Sequence, residues 1–223
     1  MIELVIDQRR RSLGPDGFEV GRVLPFAKRR MVGPFVFFDH MGPVDLPAGI
    51  PEEMDVLPHP HIGLSTLTYL FDGEIMHRDS LGSEQPIRPG EVNWMTAGRG
   101  VTHSERFEYA RREGGPVHGV QAWVALPDAE EECAPAFSHH QRDDLPGFDE
   151  AGVRGRLVAG KALGFEAAVP THSPLFYLHW DLAAGARTEL PAEYPERAIY
   201  VVTGEIEVGG QRFEAGRMLV LTP

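Results

Sequence analysis

The sequence predicts an all-β protein built as two similar halves. Three observations carry that expectation. First, 25 Gly and 19 Pro in 223 residues, with few long helical patterns, favour many short strands and turns. Second, Leu64 to Phe71 is apolar, β-branched or aromatic except at Ser65. A turn at Asp72-Gly73, a polar strand with His77, a turn at Leu81-Gly82-Ser83 and a new strand opened by Gly90 then follow at hairpin spacing. Third, Ile199 to Ile206 lines up with Thr68 to Ile75, position 199 falling on 68 at an offset of 131.

The elements follow in order. Ile2 to Ile6 reads as a strand, and Gly14-Pro15-Asp16-Gly17 as a turn. Phe18 to Leu24 alternates apolar and polar, and Phe35 to Phe38 is a short apolar run suited to a buried strand or a pocket wall. Lys28-Arg29-Arg30 reads as a solvated loop rather than a steering patch for an anionic substrate. His40 reads equally as a core histidine or as a supporting residue near a site. Val117 to Leu126 is a strand ending at Pro127. Residues 128–150 are acidic and Pro-rich. The division is therefore a first barrel over 1–130, a linker over 131–150 and a second barrel over 151–223. His139-His140 falls in the linker, where adjacent histidines make a poor metal pair and a solvated loop is expected.

Composition excludes several classes. Lys plus Arg total 21 against 33 Asp plus Glu, a net charge of −12. That disfavours direct binding of nucleic acid, which needs basic surface to displace counterions, and of anionic membranes. No run approaches 18 apolar residues, and Ile2 to Ile6 is too short for a secretory signal, so a cytoplasmic protein is expected. The one cysteine, Cys133, fits a reducing compartment and reads as a surface or half-buried thiol without a catalytic role. Richness in Ala, Arg, Gly and Pro suggests a bacterial, GC-rich source.

The chemistry concentrates between Pro58 and Glu105. His59 and His61 are two apart, and so are His103 and Glu105. In a strand, residues i and i+2 share a face. If the two stretches lie side by side, three imidazoles and one carboxylate converge, a donor set for a divalent first-row metal. Gly98 and Gly100 supply turn geometry before His103. Pro58 and Pro60 remove two N–H donors on one side, which predicts that this strand is unpaired along one edge near a barrel mouth. His172 and His179 lack a partner at ligand spacing and read as structural.

This block resembles the cupin pattern: His-x-His on one strand, a Gly closing a hairpin at Gly73, then a glycine turn and a third His. More specifically it resembles the pirin family, in which the fourth ligand is a Glu two residues after the last His, as Glu105 is here. Most cupins carry a Glu four or five residues after His-x-His; here Ser65 and Thr66 stand there. The stretches Gly33-Pro34-Phe35-Val36-Phe37-Phe38-Asp39-His40-Met41-Gly42-Pro43 and Thr68-Tyr69-Leu70-Phe71-Asp72-Gly73-Glu74 also resemble pirin signatures. The likeness is strong over residues 18 to 125 and looser beyond.

The resemblance implies two tandem cupin barrels of the jelly-roll type. The offset places Leu190 and Ala192 where His59 and His61 stand, so the second barrel is expected to be metal-free. It is also expected to be incomplete, since pirins continue for several strands beyond a point such as Pro223. Fe(II) is the implied metal, held by His59, His61, His103 and Glu105 with two octahedral positions open; Mn, Ni, Co, Cu or Zn would suit the same ligands. The implied activity is quercetin 2,3-dioxygenase, a flavonol ring cleavage with dioxygen that releases carbon monoxide. In it Glu105 acts as catalytic base on the 3-hydroxyl while remaining a ligand. Phe37, Phe71, Trp94 and Met95 are candidate pocket walls, with core packing as the alternative for each. The rival reading is an iron-dependent transcriptional co-regulator that acts through protein partners, as eukaryotic pirins do. A third is a different small aromatic or enolic substrate.

Overall fold

The structure is a computed structural model describing residues 1–13 and 17–223; the turn expected from Gly14 to Gly17 lies outside the described residues, Gly17 excepted. The fold is nearly all β, with 56% strand and 5% helix. The strands of the first 140 residues are β1 (Ile2–Asp7), β2 (Arg9–Ser12), β3 (Glu19–Leu24), β4 (Phe35–Leu46), β5 (Val56–His61), β6 (Leu64–Asp72), β7 (Ile75–Asp79), β8 (Glu84–Ile87), β9 (Val92–Thr96), β10 (Val101–Arg106), β11 (Gly115–Ala125) and β12 (Ala136–His140). A short α-helix, α1 (Glu108–Glu113), links β10 to β11, and two short 3-10 helices lie at Glu52–Met54 and Arg142–Asp144. The rest are β13 (Gly147–Glu150), β14 (Val153–Ala162), β15 (Phe165–Glu166), β16 (Phe176–Leu182), β17 (Arg197–Tyr200), β18 (Glu205–Val208), β19 (Gln211–Glu214) and β20 (Arg217–Leu221).

A seven-stranded sheet, ordered β12-β9-β6-β11-β4-β3-β2, and a four-stranded sheet, ordered β5-β10-β7-β8, make the first cupin barrel. Register decides what each face of the large sheet carries. Phe137, Met95, Thr66, Trp123 and Phe37 stand opposite one another in one cross-strand row. Asn93, Thr68, Gln121, Asp39 and Arg22 form the next row on the same face. The alternate residues, Trp94, Leu67, Ala122 and Phe38, lie on the opposite face. There they join a core with Val158, Val169, Tyr177, Ala198 and Met218 from the second half. One face thus lines the first barrel and the other packs the two halves together.

The repeat seen in the sequence is a repeat of pairing. β6 pairs with β9 and β7 with β8; in the second half β17 pairs with β20 and β18 with β19. Gly73 and Gly204 close equivalent turns, both with positive φ (85° and 72°), which a residue without Cβ adopts at little cost. Leu190 packs among Val201, Phe213, Leu219 and Leu221, so the position matching His59 is apolar.

Three details differ from expectation. Residues 131–150 are not an irregular link: β12 pairs with β9 and extends the large sheet, and β13 pairs with β14. His139 and His140 are therefore half-buried strand residues rather than loop residues; His139 Nδ1 is 2.8 Å from Asn93 Oδ1, and His140 Nε2 is 3.2 Å from Ser138 Oγ. The first strand, β1, pairs with β20 and so belongs to the sheet of the second half. Local acidity and proline content read as a linker, but ladder hydrogen bonds to distant strands decide the outcome. No helix among the described residues is long and apolar enough to cross a membrane.

Candidate metal centre

β5 and β10 lie antiparallel with His59 opposite His103 and His61 opposite Val101. β5 is the edge of its sheet and pairs with β10 alone, as Pro58 and Pro60 require. His59, His61 and His103 come together with ring centroids 4.5 to 5.0 Å apart. One nitrogen of each lies within 4.8 Å of those of the other two.

The hydrogen bonds show which nitrogen each ring offers. His59 Nδ1 lies 2.8 Å from the Leu57 carbonyl oxygen, an acceptor, so Nδ1 carries the proton and Nε2 the lone pair. His103 is oriented through a relay. Asp79, opposite His103 on β7, accepts from Leu81 and Ser83 N–H at 2.9 and 3.0 Å and from His77 Nε2–H at 3.0 Å. Burial acts to raise the Asp79 carboxyl, but these hydrogen bonds outweigh it and hold it below the usual carboxylate range. An ionised Asp79 only accepts, so His77 donates from Nε2 and accepts at Nδ1. His103 Nδ1, 3.3 Å away, then donates to His77 and leaves its own Nε2 unprotonated. His61 Nε2 and His103 Nε2 are both buried without a hydrogen-bond partner among the described residues. Burial, reinforced by the neighbouring imidazoles, lowers His61 to about 4 and His103 to about 2. The His61 and His103 rings are therefore neutral at neutral pH, the form that binds a metal. Two orphaned buried nitrogens beside a third form a donor set that fits a divalent cation.

Glu105 stands on the same face of β10 and is 5% exposed. It is not in the 4.8 Å group of the three histidines. Its Oε1 accepts from Gln121 Nε2 at 2.7 Å and Thr68 Oγ1 at 3.3 Å, both from the facing sheet. Burial pushes its carboxyl up, against the lowering effect of His59, His77 and these donors.

Of the expected walls, Phe37 and Met95 lie on the barrel face, whereas Phe71 and Trp94 face the second half. Phe37 stacks on Trp123 at 3.9 Å, and Trp123 meets His61 edge-on at 4.9 Å. Arg22 lies over Phe37 and is paired with Asp39 by two hydrogen bonds of 2.9 and 2.8 Å. His40 belongs to another network: it contacts His118 and Tyr200, each at 2.9 Å. Arg29 of the basic run pairs with Glu3 and Glu196. His77, Asp79, Thr68, Gln121 and Trp123 also border the cluster, and the sequence singles out none of them for it. Only His77 and Asp79 carried a signal, the same i, i+2 spacing that marks the ligand-type pairs.

A small barrel of two antiparallel sheets with three convergent imidazoles and a buried carboxylate is the arrangement of a metal cupin. Comparison with known proteins places the chain within that class. The Pirin family model matches residues 17–124 and the Pirin C-terminal cupin domain model matches 177–223. A pirin-like protein of Caulobacter vibrioides is 58% identical over 224 residues, 100% of this chain and 77% of that protein. A Pseudomonas aeruginosa protein provisionally assigned as a quercetin 2,3-dioxygenase is 41% identical over 208 residues, 92% of this chain and 63% of that protein. The crystal structure of quercetin 2,3-dioxygenase from Acinetobacter baumannii superposes with a TM-score of 0.89 at 36% identity, over 98% of this chain and 71% of that one. The chain belongs to the pirin family.

Proposed function

We propose that the protein is a metal-dependent dioxygenase of the quercetin 2,3-dioxygenase type. In this reading His59, His61, His103 and Glu105 hold one divalent iron, and the substrate is a small planar enolic or aromatic compound. The observation that carries the reading is the set of imidazole nitrogens turned inward beside a buried carboxylate. Bound iron would supply a Lewis acid that lowers the pKa of a coordinated enol hydroxyl and a one-electron partner for dioxygen.

The chain's own residues do the rest. Glu105 takes the enol proton. Both its hydrogen bonds among the described residues fall on Oε1, which leaves Oε2 without a competing donor. Burial raises its proton affinity, which strengthens it as a base. Gln121 and Thr68 hold the carboxylate in place. The stacked Phe37–Trp123 pair offers an aromatic wall beside His61, and the Trp123 indole N–H is buried without a partner among the described residues, a donor for a substrate oxygen. Exposed Leu57 and Ile62 flank the half-buried His59 at the edge of β5, which sets the mouth there.

The test is anaerobic iron loading followed by aerobic addition of quercetin, read by loss of flavonol absorbance and release of carbon monoxide. Turnover that falls at least about 100-fold in Glu105→Ala is the expected result. Tight iron binding with no turnover would overturn the quercetinase reading. A flavonol-induced change in the metal spectrum would then keep an aromatic ligand; its absence would favour a metal-dependent protein-binding regulator.

A further inference from the structure

Glu130, Cys133 and His172 form a second cluster of ligand-type side chains, whose donor atoms all lie within 4.8 Å of one another. We propose that this cluster is a second divalent-cation site, separate from the barrel histidines, and that it takes a thiophilic ion of the Zn2+ kind.

The cluster is built by the chain rather than met by chance on a loose loop. Glu130 N–H donates to the Pro127 carbonyl at 2.7 Å, and Cys133 N–H donates to the Glu130 carbonyl at 3.0 Å. This turn brings the side chains of residues i and i+3 to one side. Cys133 is fixed again through its carbonyl, which accepts from Arg99 N–H at 3.0 Å. Gly98 packs so tightly against it that a Cβ there would lie 2.1 Å from the Cys133 carbonyl oxygen and 3.0 Å from Sγ. His172 arrives from the segment between β15 and β16, anchored on either side by buried Val169 and Leu175.

The donors approach without bonding one another. His172 Nδ1 and Glu130 Oε2 are 3.8 Å apart, beyond hydrogen-bond range. A tetrahedral Zn2+ holds nitrogen and oxygen ligands about 3.3 Å apart, so rotation of the side-chain ends closes the shell and water completes it. One thiolate, one imidazole and one carboxylate make a borderline-soft set that favours Zn2+ over Mg2+ or Ca2+, which take oxygen ligands. Binding releases the Cys133 thiol proton to solvent. Asp128, Glu131 and Glu132 surround the turn with negative charge that draws a cation in. A bound ion would tie the segment after β11 to the segment before β16, joining the two halves.

The test uses the metal-stripped full chain with Co2+ as a spectroscopic probe. His103→Ala, which disables the barrel cluster, should bind one equivalent of Co2+ with a near-ultraviolet thiolate-to-cobalt charge-transfer band. Adding Cys133→Ser should abolish the band, and His172→Ala should weaken binding at least about tenfold. In parallel, Zn2+ should slow alkylation of Cys133 in the wild-type chain at least tenfold but not in His172→Ala. This second readout does not depend on the His103→Ala variant folding. No charge-transfer band, a band that survives Cys133→Ser, or an alkylation rate indifferent to Zn2+ would overturn the proposal.

Discussion

His103 owes its tautomer to a carboxylate that never touches it. Asp79 orders His77, and His77 orders His103, so the proton that would block Nε2 is kept on the far side of the ring. Replacing Asp79 with Asn lets the relay reverse, because an amide can donate where a carboxylate cannot. The expected outcome for Asp79→Asn is about 10–100-fold weaker metal binding with an unchanged far-ultraviolet spectrum, measured by competition with a chromophoric chelator. A second residue-scale prediction concerns His40. His118 Nε2–H donates to His40 Nε2, His40 Nδ1–H donates to the Tyr200 oxygen, and Tyr200 O–H donates to Gln8 Oε1 at 3.0 Å. The chain works only while the His40 ring is neutral. Burial, aided by His118, lowers His40 to about 4. Its unfolded value is about 6.5, so the unfolded state binds the extra proton first as the pH falls. Stability is lost between about pH 6.5 and 4. This one group accounts for about 2 kcal/mol between pH 7 and 5. In His40→Gln, urea unfolding at the two pH values should differ by that much less than in the wild type.

The elements owe their roles to register. A strand with large residues on both sides, such as Leu67-Thr68-Tyr69-Leu70, does not say which side faces the histidine cluster. Cross-strand pairing aligns Thr66 with Met95 and Trp123, and Thr68 with Asn93 and Gln121, and so assigns the faces. That is why Phe37 and Met95 line the barrel while Phe71 and Trp94 are consumed in packing. The two equivalent hairpins offer a controlled comparison. Gly73→Ala puts a methyl 2.1 Å from the Pro116 carbonyl oxygen at a φ of 85°, whereas Gly204→Ala meets nothing within 4 Å at 72°. Both carry the left-handed backbone cost of about 1–2 kcal/mol. Gly73→Ala should lose clearly more than Gly204→Ala in urea denaturation, because only it also forces backbone apart. Equal losses would show that the first hairpin relaxes freely.

At the scale of the molecule, the first barrel concentrates buried polar groups, and an apolar core joins it to the second half. Such a barrel holds uncompensated nitrogens, and a cation bound to them would link metal and fold thermodynamically. Anaerobic Fe2+ at about 100 times its Kd should stabilise the chain by about 2.7 kcal/mol, raising Tm by roughly 5–10 °C. The shift should vanish on chelation and be absent in His59→Ala. A shift that persists in that variant would place the iron elsewhere.

The sequence by itself determined the all-β class, the repeat and the His59, His61, His103 and Glu105 pairs. Each of these is local: strand side chains alternate with period 2, and turns declare themselves by Gly and Pro. The edge position of β5 was legible for the same reason, because two prolines remove donors at known places. Only the tertiary structure decided that β12 joins the first barrel, that β1 joins the second half, and that Gln121, Thr68, Trp123, His77 and Asp79 surround the ligand-type pairs. Those contacts cross between strands far apart in the chain. Nothing in a local pattern encodes which distant strand will supply the hydrogen bonds, and hence which side of a two-sided strand will meet the site.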